Sequence, residues 1–298
     1  MEQEKSPGSE PTQADQQASL DRGCRCEEGH TPEGVFFRHW KHESPRFVVL
    51  LAHGLGEHSG RYEHVASALA LAGATTLAPD HIGHGRSPGH RCYVDKFETY
   101  FNTLDYLRNK AADEYSELPC FIVGHSMGGL IVSNYLIERK PSFSGAVFSG
   151  AAFQVPQPPS KVTLFISKIL SMIAPRMGVM QLDASEVSRD PRVVADYVAD
   201  PLVHSGKISA GLAVQLFSAL AVNEARSQEI SVPILVLHGE GDVMTAPAGS
   251  QRFHDQVSSS DKTLKFYPGL FHEIFNEPEK AEVLGDVCAW IHQRLPNT

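Results

Sequence analysis

The chain has 298 residues and a mass of 32.6 kDa, and its 26 Lys and Arg against 35 Asp and Glu give a net charge of −9. This acidity argues against nucleic acid as a partner, because phosphate binding needs clustered positive charge. Hydrophobic residues make up 42% of the chain, which suits a globular protein, and no apolar run reaches the roughly 18–20 residues that span a bilayer.

The first 29 residues differ in texture from the rest of the chain. They are rich in Gln, Glu, Ser, Pro and Gly, and they contain no apolar stretch of the kind found in secretory signals. Such a segment cannot bury enough apolar surface to offset its ordering entropy, so residues 1–29 are predicted to be a disordered acidic and polar tail. Without an export signal, we expect a cytoplasmic protein whose five cysteines form no disulfide framework.

From residue 30 onward, short apolar runs alternate with helical patterns. The predicted strands are Val35–Trp40, Phe47–Ala52, Ala74–Ala78, Cys120–Val123, Gly145–Ser149, Ile234–Leu237 and Thr263–Tyr267. The predicted helices are Val65–Ala72, Val94–Tyr115, Leu130–Arg139, Ala248–Val257 and Pro278–Leu295. Strands that alternate with helices, and that lack polar alternation, indicate a sheet covered on both faces. The sequence therefore predicts an α/β fold with a mostly parallel sheet flanked by helices.

The alternation stops between residues 152 and 230. A proline-rich stretch at residues 155–159 begins this segment, and no convincing strand pattern follows. An insertion of this length between two strands of one sheet is typical of a cap over one end of the sheet. We therefore predict an α/β core at residues 30–151 and 231–298, and a helical cap, or lid, at residues 152–230.

A candidate nucleophile lies where a predicted strand meets a predicted helix. Ser126 is the serine of a G-x-S-x-G motif, flanked by Gly124 and Gly128. This context is typical of a nucleophile elbow, in which the serine has a strained backbone and small neighbours avoid collisions. The motif alone is weak, since it arises by chance in a chain of this length with a probability on the order of 0.1.

Partners for the serine follow later strands. A serine hydroxyl needs a base to remove its proton and a carboxylate to orient that base, and elbow proteins place them in the order serine, acid, histidine. Asp242 and His272 each follow a predicted strand in that order, with Glu240 as the alternative acid. The competing histidines lie within predicted strands or helices, or near the chain terminus: His238, His254 and His292.

An oxyanion hole requires two donors, since the loss of one costs about 3–4 kcal/mol of barrier. The backbone amide of Met127, at the start of the predicted helix, is the first candidate. The amide of Leu55 is the second, because Gly54 and Gly56 let the loop after the strand Phe47–Ala52 turn inward. The alternative is that this loop is a tight turn with no further role.

Together these features resemble the monoacylglycerol lipase family of serine α/β-hydrolases. The matching stretches are His-Gly-Leu-Gly-Glu-His-Ser-Gly-Arg-Tyr at 53–62, Asp-His-Ile-Gly-His-Gly-Arg-Ser at 80–87, Gly-His-Ser-Met-Gly-Gly at 124–129, Asp-Pro-Leu at 200–202 and Asp-Lys-Thr-Leu-Lys at 261–265. The resemblance covers residues 34 to 295. It implies an α/β-hydrolase fold and an enzyme that cleaves a monoacylglycerol to a fatty acid and glycerol, with no metal and no cofactor.

The same resemblance implies a set of residues on the glycerol side of the pocket, namely Glu57, Arg61, His125 and Tyr197. A diol needs several converging hydrogen-bonding groups, which fits these side chains. Glu57 and Arg61 are also spaced as an i, i+4 ion pair that would only brace the loop, and this alternative remains open. Other hydrolase functions also remain open: a lysophospholipase or another carboxylesterase of the same fold. A non-catalytic scaffold is disfavoured because Ser, Asp and His are all present.

The predicted cap has its own lipid-binding signal. Apolar residues recur at helical spacing, at Val162, Phe165, Ile166, Ile169 and Ile173, and the stripe is widened by Leu164, Leu170 and Met172. Residues 152–182 carry three basic residues and no acidic one. An apolar stripe with nearby positive charge is typical of a helix that lies on anionic lipid, so transient contact with membranes or lipid droplets is expected. The alternative is a helix packed on the sheet.

Overall fold

An eight-stranded sheet forms the centre of the computed structural model, which describes residues 23–156 and 168–296. The strands in this part of the chain are β1 (Arg25–His30), β2 (Phe36–Lys41), β3 (Phe47–Ala52), β4 (Ala74–Pro79), β5 (Cys120–His125), β6 (Gly145–Ser149), β7 (Gly178–Met180), β8 (Ile208–Ser209), β9 (Ile234–Gly239) and β10 (Lys262–Tyr267). The main sheet has the order β1-β2-β4-β3-β5-β6-β9-β10. The two pairings of β2 are antiparallel and the others are parallel. The predicted fold class is confirmed.

Helices cover both faces of this sheet. They are α1 (Glu63–Leu71), α2 (Glu98–Glu114), α3 (Met127–Arg139), α6 (Pro247–Gln256) and α7 (Lys280–His292), and the insertion between β6 and β9 adds α4 (Pro191–Ala199) and α5 (Ala210–Arg226). Successive side chains of β3 point to opposite faces. Val48 and Leu50 pack into the core with α2 and α3, whereas Val49 and Leu51 pack into the core with α1 and α7. Burial on both faces explains why the central strands lack polar alternation.

The tail predicted at residues 1–29 extends too far along the chain. Its residues 25–29 form β1 together with His30. This strand pairs with β2, from Arg25 opposite Lys41 to His30 opposite Phe36. The side chains of β1 are exposed or half-buried, so its composition carries no apolar signal. Backbone hydrogen bonds to β2, which composition does not report, place this edge strand. Residues 1–22 of the predicted tail lie outside the described residues.

The segment between β6 and β9 contains residues 168–173, which are helical, followed by β7, α4, β8 and α5. Its described part adds no strand to the main sheet, but β7 and β8 form a small antiparallel pair that the sequence pattern did not predict. They are too short to show a period. α5 lies against α3, where Asn134 Nδ2 donates to the carbonyl of Ala219 at 3.2 Å. The segment therefore sits beside the helix that follows Ser126.

Part of the predicted cap stripe, with Val162, Leu164, Phe165 and Ile166, lies outside the described residues. No helix in the ranges that the structure describes is long and apolar enough to cross a membrane.

Candidate active site

Ser126 lies between β5 and α3 with φ 52° and ψ −118°, a conformation that L-residues rarely adopt. A Cβ at Gly124 would lie 2.6 Å from the carbonyl oxygen of Gly128, and a Cβ at Gly128 would lie 2.1 Å from that of Ala52. The Ser126 amide donates to Ser149 at 3.0 Å, which ties the turn to β6. The two motif glycines therefore allow the close approaches that this turn requires, as the sequence predicts.

Three side chains from three separate loops meet at this turn. Nε2 of His272 lies 2.8 Å from Oγ of Ser126, and Nδ1 of His272 lies 2.7 Å from Oδ2 of Asp242. All three side chains are buried. The alternative acid Glu240 is exposed, so Asp242 is the carboxylate that contacts the histidine. The arrangement matches the hydroxyl, imidazole and carboxylate series of a serine hydrolase.

Asp242 is held by several donors besides His272. Its Oδ1 accepts from the backbone amides of Met244 at 2.8 Å and Thr245 at 2.9 Å, and its Oδ2 accepts from the Thr245 hydroxyl at 2.8 Å. Nε2 of His238 lies 3.0 Å from the same Oδ2. Burial alone would raise the pKa of Asp242, but the nearby His272 and the hydrogen bond from His238 outweigh it and hold that pKa well below its usual range. Asp242 is therefore ionised at neutral pH.

The ionised carboxylate of Asp242 raises the pKa of the neighbouring His272. Burial would lower the pKa of His272, but the negative charge of Asp242 outweighs burial and raises that pKa above the ordinary histidine value. A second histidine, His125, has its ring centroid 4.9 Å from that of His272. Burial and the neighbouring His272 lower the pKa of His125 to about 4, so it is neutral when His272 titrates.

The loop after β3 approaches the other side of Ser126. A Cβ at Gly54 would lie 3.2 Å from Cβ of Ser126, so the loop backbone is in direct contact with the serine. Oε1 of Glu57 accepts from the Gly54 amide at 2.6 Å and fixes this approach. Leu55 and Met127 both line the cavity next to Ser126, and the amide of neither one donates to a described residue. The two residues whose amides are the candidates for the oxyanion hole therefore both border the cavity beside the serine, and their role as donors stays a prediction.

Most of the predicted glycerol-side residues meet in a small polar cavity. Glu57, His125 and Tyr197 line it together with Ser126 and His272. None of the hydrogen bonds among the described residues uses the Tyr197 hydroxyl, and the Tyr197 ring lies against Arg61 at this cavity. Three of the four predicted residues therefore lie at this cavity, and they can offer a carboxylate, an imidazole and a phenol to one ligand.

Arg61, the fourth predicted residue, lies behind this cavity. It binds Glu57 at 2.6 Å and both carboxylate oxygens of Glu273 at 2.6 and 2.7 Å, and its guanidinium carbon lies 4.7 Å from the ring centre of Tyr197. The i, i+4 ion pair between Glu57 and Arg61, the alternative interpretation of these residues, is thus present. It braces the residues that face the ligand.

A second, apolar cavity also borders Ser126 and shares Leu55, Leu182 and Met244 with the first. It has a volume of about 80 Å³, and its apolar lining comes from α3, the insertion and the loop after β9. The lining side chains include Leu130, Met180, Leu182, Leu216, Phe217, Leu220 and Met244. Ser126 thus borders two adjoining spaces, one with several polar side chains and one that is mostly apolar, an arrangement suited to an amphiphilic ester.

Sequence reasoning missed three contacts around this site. His238 was set aside because it lies in a strand, but it binds Asp242, and its Nδ1 lies 2.7 Å from the Ser250 hydroxyl on α6. Glu273, which directly follows His272, binds Arg61 across 212 positions of the chain, so no local pattern indicates that contact. His238 lies only four positions before Asp242, but their contact depends on how the loop after β9 turns, which the residue pattern does not report.

Comparison with known proteins agrees with this geometry. A family model described as serine aminopeptidase, S33, matches residues 43–279. The chain is 44% identical over 251 residues to a monoacylglycerol lipase of Mycolicibacterium smegmatis, which covers 84% of this chain and 90% of that protein. It is 32% identical over 264 residues to the monoglyceride lipase of Homo sapiens, with 87% of each chain covered.

Solved structures give the same answer. The crystal structure of Paleococcus ferrophilus monoacylglycerol lipase superposes with a TM-score of 0.79 at 33% identity, covering 87% of this chain and 99% of that one. A soluble variant of Saccharomyces cerevisiae monoglyceride lipase, solved with a substrate analog, gives 0.80 at 26% identity, covering 92% and 96%. The fold and these matches define an enzyme of the α/β-hydrolase class. Within that class, the chain belongs to the serine aminopeptidase S33 family, in the same group as the monoacylglycerol lipases.

Proposed function

We propose that this enzyme cleaves the ester bond of monoacylglycerols and releases a fatty acid and glycerol. The observation that carries the proposal is the position of Ser126, which is hydrogen-bonded to His272 and borders both a cavity with several polar side chains and an apolar cavity. A monoacylglycerol has the same division, with a diol on one side of its ester and an alkyl chain on the other. The names of the relatives support this substrate class.

The proposed reaction proceeds through an acyl-enzyme. Oγ of Ser126 attacks the ester carbonyl while Nε2 of His272 takes the hydroxyl proton, and ionised Asp242 stabilises the resulting imidazolium. The amides of Leu55 and Met127 bind the oxyanion. The carbon–oxygen bond to glycerol then breaks, and His272 gives its proton to the leaving alkoxide. A water molecule, deprotonated by His272, attacks the acyl carbonyl, and the fatty acid leaves as Ser126 regains its proton.

Ser126→Ala tests the function. We expect the turnover of monoacylglycerol to fall at least about 10⁴-fold, and labelling by a fluorophosphonate probe to disappear, because no other nucleophile replaces Oγ. Ser133→Ala is the matched control, since Ser133 is a buried serine of α3 that donates to its own helix at Leu130. Labelling that persists in Ser126→Ala would contradict the mechanism. Faster hydrolysis of a lysophospholipid than of a monoacylglycerol would assign the substrate differently.

Glu57, His125 and Tyr197 are proposed to bind the glycerol hydroxyls, with Arg61 bracing them. Tyr197→Phe removes one hydroxyl that has no described protein partner, so we expect kcat/KM for a monoacylglycerol to fall about fivefold. The methyl ester of the same fatty acid lacks the diol and should change less than twofold. Tyr106→Phe on α2 is the control. An equal loss on both esters would show that Tyr197 has no role in glycerol recognition.

We also propose that the 152–230 insertion acts as a cap and brings the enzyme to lipid surfaces, as peripheral contact with membranes or lipid droplets. Met172 and Ile173 are 71% and 74% exposed, and Lys168 and Arg176 are exposed close to them in sequence. Apolar side chains next to positive charge support contact with an anionic lipid interface. Met180 and Leu182 of the same insertion line the apolar cavity, so a lipid bound there would lie close to Ser126.

Liposome co-sedimentation tests this contact. The double variant Met172→Ser and Ile173→Ser should lower the fraction bound to anionic vesicles several-fold, because apolar surface that enters the interface is lost. Leu71→Ser is the matched control, since Leu71 is 76% exposed but lies at the end of α1. Unchanged sedimentation of the double variant would exclude the contact.

A further inference from the structure

A groove of about 350 Å³ runs along α5 and α6 at the outer end of the apolar cavity. Its floor is aromatic, since Phe153 and Phe253 stack with ring centroids 3.9 Å apart. Glu224 and Arg252 border it, with 3.7 Å between their charged groups. An apolar floor with a few polar side chains at its border is typical of a site that binds an apolar ligand.

The groove is continuous with the catalytic site through shared side chains. Val155, Phe217 and Leu220 border both the groove and the cavity beside Ser126, so the two spaces are separated by at most one layer of side chains. Along α5, the cavity is lined from residue 213 to 220 and the groove from residue 217 to 224. An apolar path therefore follows α5 from Ser126 outward, and the groove extends it from residue 220 to 224, by roughly 6 Å.

The volumes of the cavity and of the groove favour binding of an acyl chain along this path. The cavity beside Ser126 has a volume of about 80 Å³, below the roughly 300–1,000 Å³ of sites that enclose a drug-sized ligand. The cavity can hold only the part of an acyl chain that lies next to the ester. The groove, at about 350 Å³, falls within that range.

We propose that this groove binds the distal end of a long acyl chain while the ester lies at Ser126, and that it sets the preference of the enzyme for chain length. The inference rests on the proposed function and adds a second apolar subsite to it. Short acyl chains end inside the cavity and do not reach the groove. Longer chains pass Phe217 and Leu220 and gain contact with the aromatic floor.

Ala221→Trp tests the proposal. Ala221 is exposed, lines the groove and does not line the cavity, so a tryptophan there fills the groove without touching the catalytic site. Ser218→Trp is the matched control, because Ser218 is also exposed on α5 but borders a different groove, shared with α2 and α3. Hydrolysis of monooctanoylglycerol and monooleoylglycerol is measured for each protein in the same detergent micelles.

For Ala221→Trp we expect kcat/KM to fall about tenfold with the oleoyl substrate, the equivalent of roughly two methylene groups removed from apolar contact, and to change less than twofold with the octanoyl substrate. Ser218→Trp should leave both values unchanged. Glu224→Trp, at a second exposed position of the groove, should repeat the effect. An unchanged ratio of the two substrates in both groove variants would overturn the proposal, whereas absence of hydrolysis of both substrates by the unmodified enzyme would instead refute the proposed function.

Discussion

The carboxyl edge of the sheet and the insertion that lies beside it are built on opposite principles. At the edge, polar side chains are buried and matched: Asp242 alone is held by His272, His238, Thr245 and Met244. In the insertion, apolar side chains such as Met172 and Ile173 face solvent. Matched buried groups hold a fixed geometry for chemistry, whereas unmatched apolar surface favours contact with lipid. Variants at the edge should therefore affect every ester, and variants of the exposed apolar residues Met172 and Ile173 should affect only lipid assemblies.

Asp242→Asn should produce the largest effect. The amide cannot stabilise the imidazolium of His272 and favours the wrong tautomer, so we expect kcat to fall by about 10⁴ on short soluble esters and on micelles alike. Steady-state kinetics on both substrates, with circular dichroism to confirm folding, provide the measurement. A loss of less than tenfold, or a loss confined to micelles, would break the contrast between the two regions.

The pH dependence of activity in the unmodified enzyme should report how the negative charge of Asp242 acts on His272. His272 accepts a proton only when neutral, and its pKa is raised, so kcat/KM should fall about tenfold per pH unit below a midpoint that lies above the ordinary histidine value of about 6.5. Ionised Asp242 and neutral His125 do not titrate in this range. In Asp242→Asn the raising charge is gone, so the midpoint of the residual activity should move to lower pH. A midpoint below 6.5 in the unmodified enzyme would contradict this electrostatic account.

His238→Leu should have a smaller effect. It tests whether His238 takes part in the catalytic arrangement at the carboxyl edge of the sheet. Nε2 of His238 faces Asp242 and the carbonyl of Thr245 at 3.3 Å, both acceptors, so it carries the proton and donates to Asp242. Without the hydrogen bond from His238, more of the negative charge of Asp242 acts on His272. We expect kcat to fall about tenfold and the acid midpoint to rise. His238→Gln, which retains a donor, should recover part of both effects, whereas a fall in kcat without any shift of the midpoint would indicate a packing role alone.

Variants of the insertion should have the smallest effect on chemistry. The double variant Met172→Ser and Ile173→Ser is expected to hydrolyse a soluble short-chain ester within twofold of the unmodified enzyme, because neither residue lines the cavities beside Ser126. The rate on anionic vesicles should fall in parallel with vesicle binding. Equal losses on soluble and vesicle substrates would show that the insertion takes part in the catalytic step itself.

Local sequence was sufficient for the features in which a few neighbouring residues act together. The elbow could be predicted because its motif is five consecutive residues, although only the collision at Gly124 arises within the turn and the one at Gly128 is with Ala52 of β3. β1 was missed because its order comes from pairing with β2, which leaves no trace in its own composition. β7 and β8 were missed because strands of three and two residues show no period.

The amino-acid sequence by itself determined the sheet, the strained turn at Ser126 and the order of serine, acid and histidine, since hydrophobic period and glycine placement are local properties. Tertiary structure decided which charges meet. Arg61 binds Glu273 across 212 positions of the chain, and Asp242, after β9, reaches His272, after β10. Hydrogen bonds and ion pairs act over a few ångströms, so such partners become neighbours only when loops from separate strands converge at one edge of the sheet.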